Sequence, residues 1–86
     1  MKHAGHLALD ELEPLLEGLR RITGLKEKKR GVFYWRSRAC LHFHEDPTGM
    51  WADFRCPGEP DFTRLSADGT TAQAAILARL KDVMIT

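Results

Sequence analysis

The chain has 86 residues and a formal net charge of +1, which leaves room for one domain and excludes a large enclosed active site. Hydrophobic residues make up 43% of it and charged residues 29%, a composition that excludes intrinsic disorder. The sequence therefore predicts a single folded domain over residues 1–86, with a flexible start over residues 1–7.

An amphipathic helix is predicted close to the N-terminus. Its apolar residues recur at steps of three or four, which places them on one helical face. They are Leu9, Leu12, Leu16, Leu19 and Ile22. Asp10 is a candidate N-cap, Pro14 suits a first turn, and Thr23-Gly24 supplies a stop signal. The charged run 26–30 has no apolar period, so we expect an exposed connector there.

Residues 32–55 carry β-branched and aromatic side chains with a period of two, which predicts a β-meander. A first strand at Phe33–Arg36 turns around Ser37-Arg38, where loops of two and of three residues give opposite facings for Trp35. The sequence alone leaves both facings open. Further on, Asp46-Pro47-Thr48-Gly49 has the composition of a type I turn and should close a hairpin.

The register of this hairpin follows if those four residues form its loop. The apolar pairs are then Leu41 with Phe54 and Phe43 with Ala52, and they share one face of the sheet. The pairs on the other face are His44 with Trp51, His42 with Asp53 and Cys40 with Arg55. The hairpin therefore has one apolar face and one polar, partly aromatic face.

The last third of the chain predicts an edge strand and a helix. A break at 57–60 precedes a short strand at 61–65, and Thr70 with Gln73 forms a T-x-x-Q capping box. The apolar stripe of the helix consists of Ile76, Leu77, Leu80, Val83 and Met84. The predicted fold class is α+β: a two-layer sandwich with an N-terminal helix, an antiparallel meander of three to four strands, and a C-terminal helix packed on one sheet face.

The sequence also predicts where the protein resides. No apolar run comes near the roughly 20 residues that span a bilayer. The first six residues, MKHAGH, lack the apolar core of a secretory signal. The two cysteines, Cys40 and Cys56, are too few for the disulfide framework of a small secreted domain. We therefore expect a cytoplasmic protein with reduced thiols and no membrane contact.

Basic residues are concentrated in one stretch. Of the 13 Lys and Arg residues, eight lie between Arg20 and Arg38, together with only one of the 12 acidic residues, Glu27. Cations interleaved with aromatics are typical of single-stranded nucleic-acid binding, because the cations contact phosphates and the rings stack on bases. The candidate nucleic-acid residues are Lys26, Lys28, Lys29, Arg30, Tyr34, Arg36 and Arg38. The alternative interpretation is a solvated charged surface.

Metal ligation is a second hypothesis. Cys40, His42 and His44 alternate along one strand face, and Asp46 follows two residues later. All four side chains are of types that ligate transition metals, so zinc or iron is the candidate ion. The alternative is structural, with His42 paired to Asp53 across the hairpin and His44 lying against Trp51. On that alternative no cofactor is predicted, and the remaining histidines, His3 and His6, lie in the expected flexible start.

One stretch of the chain resembles known sequences. The run GVFYWRSRACLHFHEDP at residues 31–47, followed by WADFR at 51–55, resembles a set of small bacterial proteins that have no assigned activity. This likeness covers residues 19–65, and its distinctive part is LHFHEDP. The helix, the hairpin with a basic turn and the L-H-x-x-E-D-like strand also resemble, more remotely, MmcQ/YjbR-type domains. That second resemblance implies contact with DNA, because some of those domains are described as DNA-binding.

These observations together favour a non-enzymatic binding module without catalytic residues. The predicted contact surface consists of Arg36, Arg38, His42, His44, Trp51, Asp53 and Arg55. Its expected partner is an anion or a protein, since Trp and Arg dominate protein interfaces. The alternatives are a metal-binding protein or metal-dependent enzyme, a nucleic-acid-binding domain, and a dimer that associates through the open sheet face or an edge strand.

Overall fold

A computed structural model describes residues 2–55 and 58–84 of the chain. The elements in chain order are β1 (Lys2–His3), α1 (His6–Glu11), α2 (Glu13–Arg20), β2 (Leu25–Lys29), β3 (Val32–Trp35), β4 (Arg38–Asp46), β5 (Gly49–Phe54), β6 (Thr63–Ser66) and α3 (Gly69–Met84). The sheet is antiparallel in the order β2-β3-β4-β5-β6, and β1 pairs with the C-terminal half of β4. The predicted α+β sandwich is confirmed, with slightly more strands than expected.

The core lies between the helices and one face of the sheet. Its fully buried large side chains are Leu12, Leu16 and Leu19 from the N-terminal helices, Phe33, Leu41, Phe43 and Phe54 from the sheet, and Ile76 and Leu80 from α3. These residues include half of the predicted apolar stripes and the three large residues of the predicted apolar face of the hairpin. Leu77 and Val83 pack at the edge of this core.

The N-terminal segment contains two short helices instead of one. Pro14 lies in the first turn of α2, where its missing N–H costs no hydrogen bond, so the chain restarts its helix there. Asp10 lies inside α1 instead of capping a helix, and its carboxylate accepts a hydrogen bond from Arg30 at 2.9 Å. Residues 2–3, expected to be flexible, pair as β1 with Glu45 and His44 of β4.

Most of the charged run 26–30, expected to be a connector, lies in the edge strand β2, which ends at Lys29. Leu25 is buried, while Lys26 and Lys28 are exposed. The acidic Glu27 between them has local partners, because it accepts hydrogen bonds from Arg20 at 2.6 Å and from the backbone N–H of Gly31 at 2.9 Å. Exposed lysines on an edge strand are a common protection against edge-to-edge pairing.

The turn between β3 and β4 has two residues, Arg36 and Ser37, with φ of 51° and 67°. These are left-handed conformations, as a two-residue type I′ hairpin turn requires. Trp35 pairs with Arg38, and a register shift follows between Phe33 and Tyr34. The two-residue loop settles the facing of Trp35, whose side chain packs against the core on the helix side of the sheet.

The β4–β5 hairpin has the predicted register. Leu41 pairs with Phe54, Phe43 with Ala52, His42 with Asp53, and His44 with Trp51. The backbone N–H of Arg55 donates to the Cys40 carbonyl at 2.8 Å, in agreement with the predicted Cys40–Arg55 pair. Turn composition and side-chain alternation therefore fix this hairpin together.

The C-terminal third follows the prediction with shifted bounds. The edge strand β6 covers Thr63–Ser66 instead of 61–65, and Pro57 of the predicted break lies outside the described residues. Thr70 lies inside α3, and Gln73 Nε2 donates to the Ala67 carbonyl at 3.2 Å instead of completing a capping box. In the described parts of the chain, no helix has the length and apolar character to cross a membrane.

Candidate functional site

Three clefts meet at the turn between β3 and β4. The largest, about 690 Å³, lies where the end of α2, the loop after it, the turn and the end of α3 come together. Its lining includes Gly18, Arg21, Ile22, Trp35, Arg36 and Lys81. Its volume is within the usual range of ligand pockets, and its wall is mainly apolar with a few charged groups at its edge.

The two neighbouring clefts share residues with the first. One, of about 180 Å³, is lined by Trp35, Arg36, Arg38 and Arg55 among others. The other, of about 250 Å³, is lined by Lys26, Lys28, Tyr34 and Arg36 among others. Arg36 lines all three clefts and Trp35 lines two, so the three are parts of one continuous surface.

We call this surface the basic end, and its seven cations are Arg21, Lys26, Lys28, Arg36, Arg38, Arg55 and Lys81. Among the residues that the structure describes, no acidic side chain lines any of the three clefts. Within residues 2–55 and 58–84, none of these cations forms an ion pair with a carboxylate. The basic end is therefore a concentration of positive charge that the fold leaves uncompensated.

Other basic residues of the same sequence stretch are neutralised within the protein. Arg20 contacts Glu13 at 2.6 Å, Glu17 at 3.0 Å and Glu27 at 2.6 Å. Arg30 contacts Asp10 at 2.9 Å and Glu13 at 2.8 Å. Hydrogen bonds from Arg30 and Arg20 lower the pKa of Glu13 to about 2, so this carboxylate stays charged at neutral pH. The Arg20–Glu27 ion pair joins α2 to β2, and the Arg30 pairs join the residue after β2 to α1 and α2.

Aromatic rings lie beside the cations of the basic end. The Arg36 guanidinium lies 5.6 Å from the centre of the Trp35 ring, and Lys28 Nζ lies 5.8 Å from that of Tyr34. Arg55 is held in place, since its Nη2 donates to the Ala39 carbonyl at 2.6 Å. Cations next to partly exposed rings can bind an anion and a planar group together.

The structure thus separates the predicted nucleic-acid residues into two groups. Lys26, Lys28, Tyr34, Arg36 and Arg38 lie at the basic end. Lys29 lines a different cleft beside β1, and Arg30 is engaged by carboxylates. Sequence reasoning missed Arg21 and Lys81, because they come from the ends of α2 and α3, and only packing brings those ends to the turn.

A separate group, which we call the histidine cluster, lies on the sheet face opposite the helices. It consists of His3 from β1 and His42 and His44 from β4, and one possible ligand atom from each lies within 4.8 Å of the others. The ring centres of His3 and His44, and of His42 and His44, are 4.8 Å apart. His42 and His44 are partly buried, and His3 is exposed.

Asp53 supports the histidine cluster from β5. Its carboxylate lies 3.1 Å from His44 Nε2 and accepts hydrogen bonds from Arg64 at 2.9 and 3.0 Å. Arg64 lowers the pKa of Asp53, which is 9% exposed, so the carboxylate stays charged. Burial, with the nearby His44, lowers the pKa of His42 and favours its neutral form.

The side chains of His42 and Asp53 do not form the expected contact. Although His42 and Asp53 are opposite in register, the Asp53 carboxylate contacts His44 and Arg64 instead. His42 packs edge-on against the Phe62 ring at 4.8 Å. Its Nδ1 atom and that of His44 are buried and have no hydrogen-bond partner among the described residues.

Two of the predicted metal ligands lie outside the histidine cluster. Asp46 caps the β4–β5 turn, accepting from the Thr48 backbone at 2.8 Å and from Trp51 Nε1 at 3.4 Å. Cys40 is 3% exposed, and desolvation raises its pKa to about 11, so it is a neutral thiol. His3 takes their place, and Trp51 is bound to the turn instead of covering His44.

Comparisons with protein-family models, with curated proteins and with solved structures found no match to this chain. The resemblances noted from the sequence therefore stay predictions. The two candidate sites of the described residues are the basic end and the histidine cluster.

Proposed function

We propose that this protein is a non-enzymatic binding module whose basic end holds a short segment of single-stranded nucleic acid. The observation that carries this proposal is the composition of the three clefts, whose described lining residues include seven cations and no acid. Phosphate contacts supply most of the affinity of proteins for single strands, and they require cations that are not already neutralised. The cations of the basic end meet that requirement.

The aromatic residues favour a single strand over a duplex. Trp35 and Tyr34 offer π-faces beside the cations, and bases of a single strand can stack on such rings. The bases of a duplex are stacked on each other and reach a protein only through the grooves. A concave cleft of about 690 Å³ fits an unstacked base better than it fits a groove edge.

The rest of the charge distribution limits the length of the bound segment. Outside the basic end, the chain carries the acids that surround Arg20 and Arg30 on the α2 side. Exposed charges act over about one Debye length, roughly 10 Å at moderate salt. A long polyanion would therefore meet repulsion once it extended past the basic end, whereas a segment of a few nucleotides would not.

Fluorescence anisotropy with a labelled single-stranded oligonucleotide of about 6 nucleotides tests the proposal. We expect binding that weakens steeply with salt. Arg36→Gln should give the largest loss of any single cation, because Arg36 lines all three clefts. The slope of log affinity against log salt should also fall by about 0.7 for each phosphate contact removed.

Lys29→Gln is the matched control for this experiment. It removes one positive charge from the same part of the chain, and Lys29 is exposed on β2 but lines a different cleft. Affinity and salt slope should change much less than for Arg36→Gln. Absence of binding at low salt, or equal losses for the two variants, would contradict the proposal.

A further inference from the structure

We propose that the histidine cluster, His3, His42 and His44, binds one divalent transition-metal ion of the zinc class. This site is independent of the basic end, because it shares none of the residues that line the three clefts. The ligand set differs from the one that the sequence suggested, since His3 joins the two strand-borne histidines while Cys40 and Asp46 stay outside.

The spacing of the three imidazoles fits one metal ion. One possible ligand atom of each histidine lies within 4.8 Å of the others. In a tetrahedral site with Zn–N bonds of about 2.05 Å, the nitrogens are about 3.4 Å apart. Closing the remaining gap of at most about 1.4 Å requires only small rotations of side chains. His3 is exposed, so its ring has the space to make such a rotation.

Two buried nitrogens independently point to a missing ligand. Nδ1 of His42 and Nδ1 of His44 are buried and lack a hydrogen-bond partner among the described residues. Buried polar atoms in folded proteins are nearly always paired, so each orphan calls for a physical reason. Two such orphans on neighbouring imidazoles of one strand are explained together by a metal ion that both nitrogens contact.

Asp53 is a positioning residue for this metal site, because it orients the ring of His44. The Asp53 carboxylate lies 3.1 Å from Nε2 of His44 and leaves Nδ1 of the same ring free. Metal-bound histidines commonly donate their second N–H to a carboxylate, which fixes the tautomer and the orientation of the ring. Arg64 holds the carboxylate through two hydrogen bonds, at 2.9 and 3.0 Å.

The donor set selects the class of metal. Imidazole nitrogens suit zinc and other late transition metals, whereas calcium and magnesium prefer oxygen ligands. Three protein ligands leave one position for solvent or another ligand, as in zinc sites that keep an open position. The exposed side of the cluster, at His3, is where that fourth ligand would enter.

The test is a zinc titration of the full, tag-free chain after removal of metal by a chelator, with cobalt as a spectroscopic probe. We expect one zinc ion per chain and a four-coordinate cobalt spectrum. His3→Ala should weaken zinc binding at least tenfold, and His42→Ala and His44→Ala should abolish stoichiometric binding. Asp53→Asn should weaken binding about 10–100-fold and alter the cobalt spectrum.

His6→Ala is the control for loss of a histidine. The His6 side chain is 83% exposed, lies beside Asp10 and is not part of the cluster. Its replacement should leave zinc affinity unchanged. His3 is also exposed, so His3→Ala gives a result even if a variant at His42 or His44 fails to fold. Absence of stoichiometric binding, or equal affinities for His3→Ala and His6→Ala, would overturn the proposal.

Discussion

Gly24 packs directly beneath the indole of Trp35, so a single methyl group at this position perturbs the wall of the largest cleft. Gly24 has a φ of 90°, and a Cβ built on it would lie 2.5 Å from Cζ3 and 3.0 Å from Cη2 of Trp35. Gly24→Ala therefore imposes a strained backbone and forces the ring to move. The substitution leaves every charge of the basic end in place.

Gly69 provides a matched control for the backbone strain, and it lines none of the three clefts of the basic end. It has a φ of 83°, and no described atom outside its own helix and chain neighbours lies within 4 Å of a Cβ built on it. A left-handed conformation costs a residue with a Cβ about 1–2 kcal/mol, and both variants incur this cost. Overpacking costs about 1–3 kcal/mol more. Gly24→Ala should therefore lower the free energy of unfolding by about 1–3 kcal/mol more than Gly69→Ala.

Urea unfolding of the two variants measures this difference, because the midpoint falls in proportion to the lost stability when the slope is unchanged. Anisotropy with the single-stranded oligonucleotide then measures the functional effect. We expect weaker binding by Gly24→Ala and unchanged binding by Gly69→Ala. Equal urea midpoints would refute the packing argument, and equal oligonucleotide affinities would refute the role of Trp35 in the site.

Three further predictions concern stability and reactivity. Ser37→Gly should raise the free energy of unfolding by about 0.5–1 kcal/mol, because its φ of 67° suits glycine; an unchanged urea midpoint would contradict this. Glu13→Gln should make the free energy of unfolding depend less on pH between pH 4.5 and about 2, as measured by thermal unfolding at each pH. Hydrogen bonds from Arg30 and Arg20 lower the pKa of Glu13. The ionised carboxylate therefore stabilises the folded state above pH 4.5, and this stabilisation is lost as the pH falls to about 2. Cys40 should react with a thiol reagent at neutral pH only after denaturant is added, in a variant whose other cysteine is serine, since burial raises its pKa to about 11; rapid reaction of the folded chain would contradict this.

The β4–β5 hairpin shows what local sequence determines. Its turn residues, 46–49, and the alternation of the flanking strands specify the same register, so Phe43 lies opposite Ala52 as predicted. The facing of Trp35 was not predictable, because Arg36 and Ser37 are not the Asn-Gly type of residues that signal a type I′ turn. Two non-glycine residues in left-handed conformations leave no sequence signal for a two-residue loop.

The candidate sites depend on contacts between distant parts of the chain. His3 reaches the histidine cluster only because Lys2–His3 pairs with β4, and a two-residue strand is too short to show a period. Arg21 and Lys81 join the basic end because the ends of α2 and α3 pack near the β3–β4 turn. Charge clustering along the sequence did point to Arg36, but the ion pairs that remove Arg30 from the site are visible only in the fold.

Binding of single-stranded nucleic acid at the basic end can be observed residue by residue. The most direct test is a two-dimensional amide NMR titration of the metal-free chain with a short mixed-sequence single strand, at about 50 mM and then 200 mM salt. We expect shifts confined to residues 18–28, 34–40, Arg55 and the end of α3, with most of them lost at the higher salt. Unchanged spectra at low salt, or shifts confined to the histidine cluster, would contradict it.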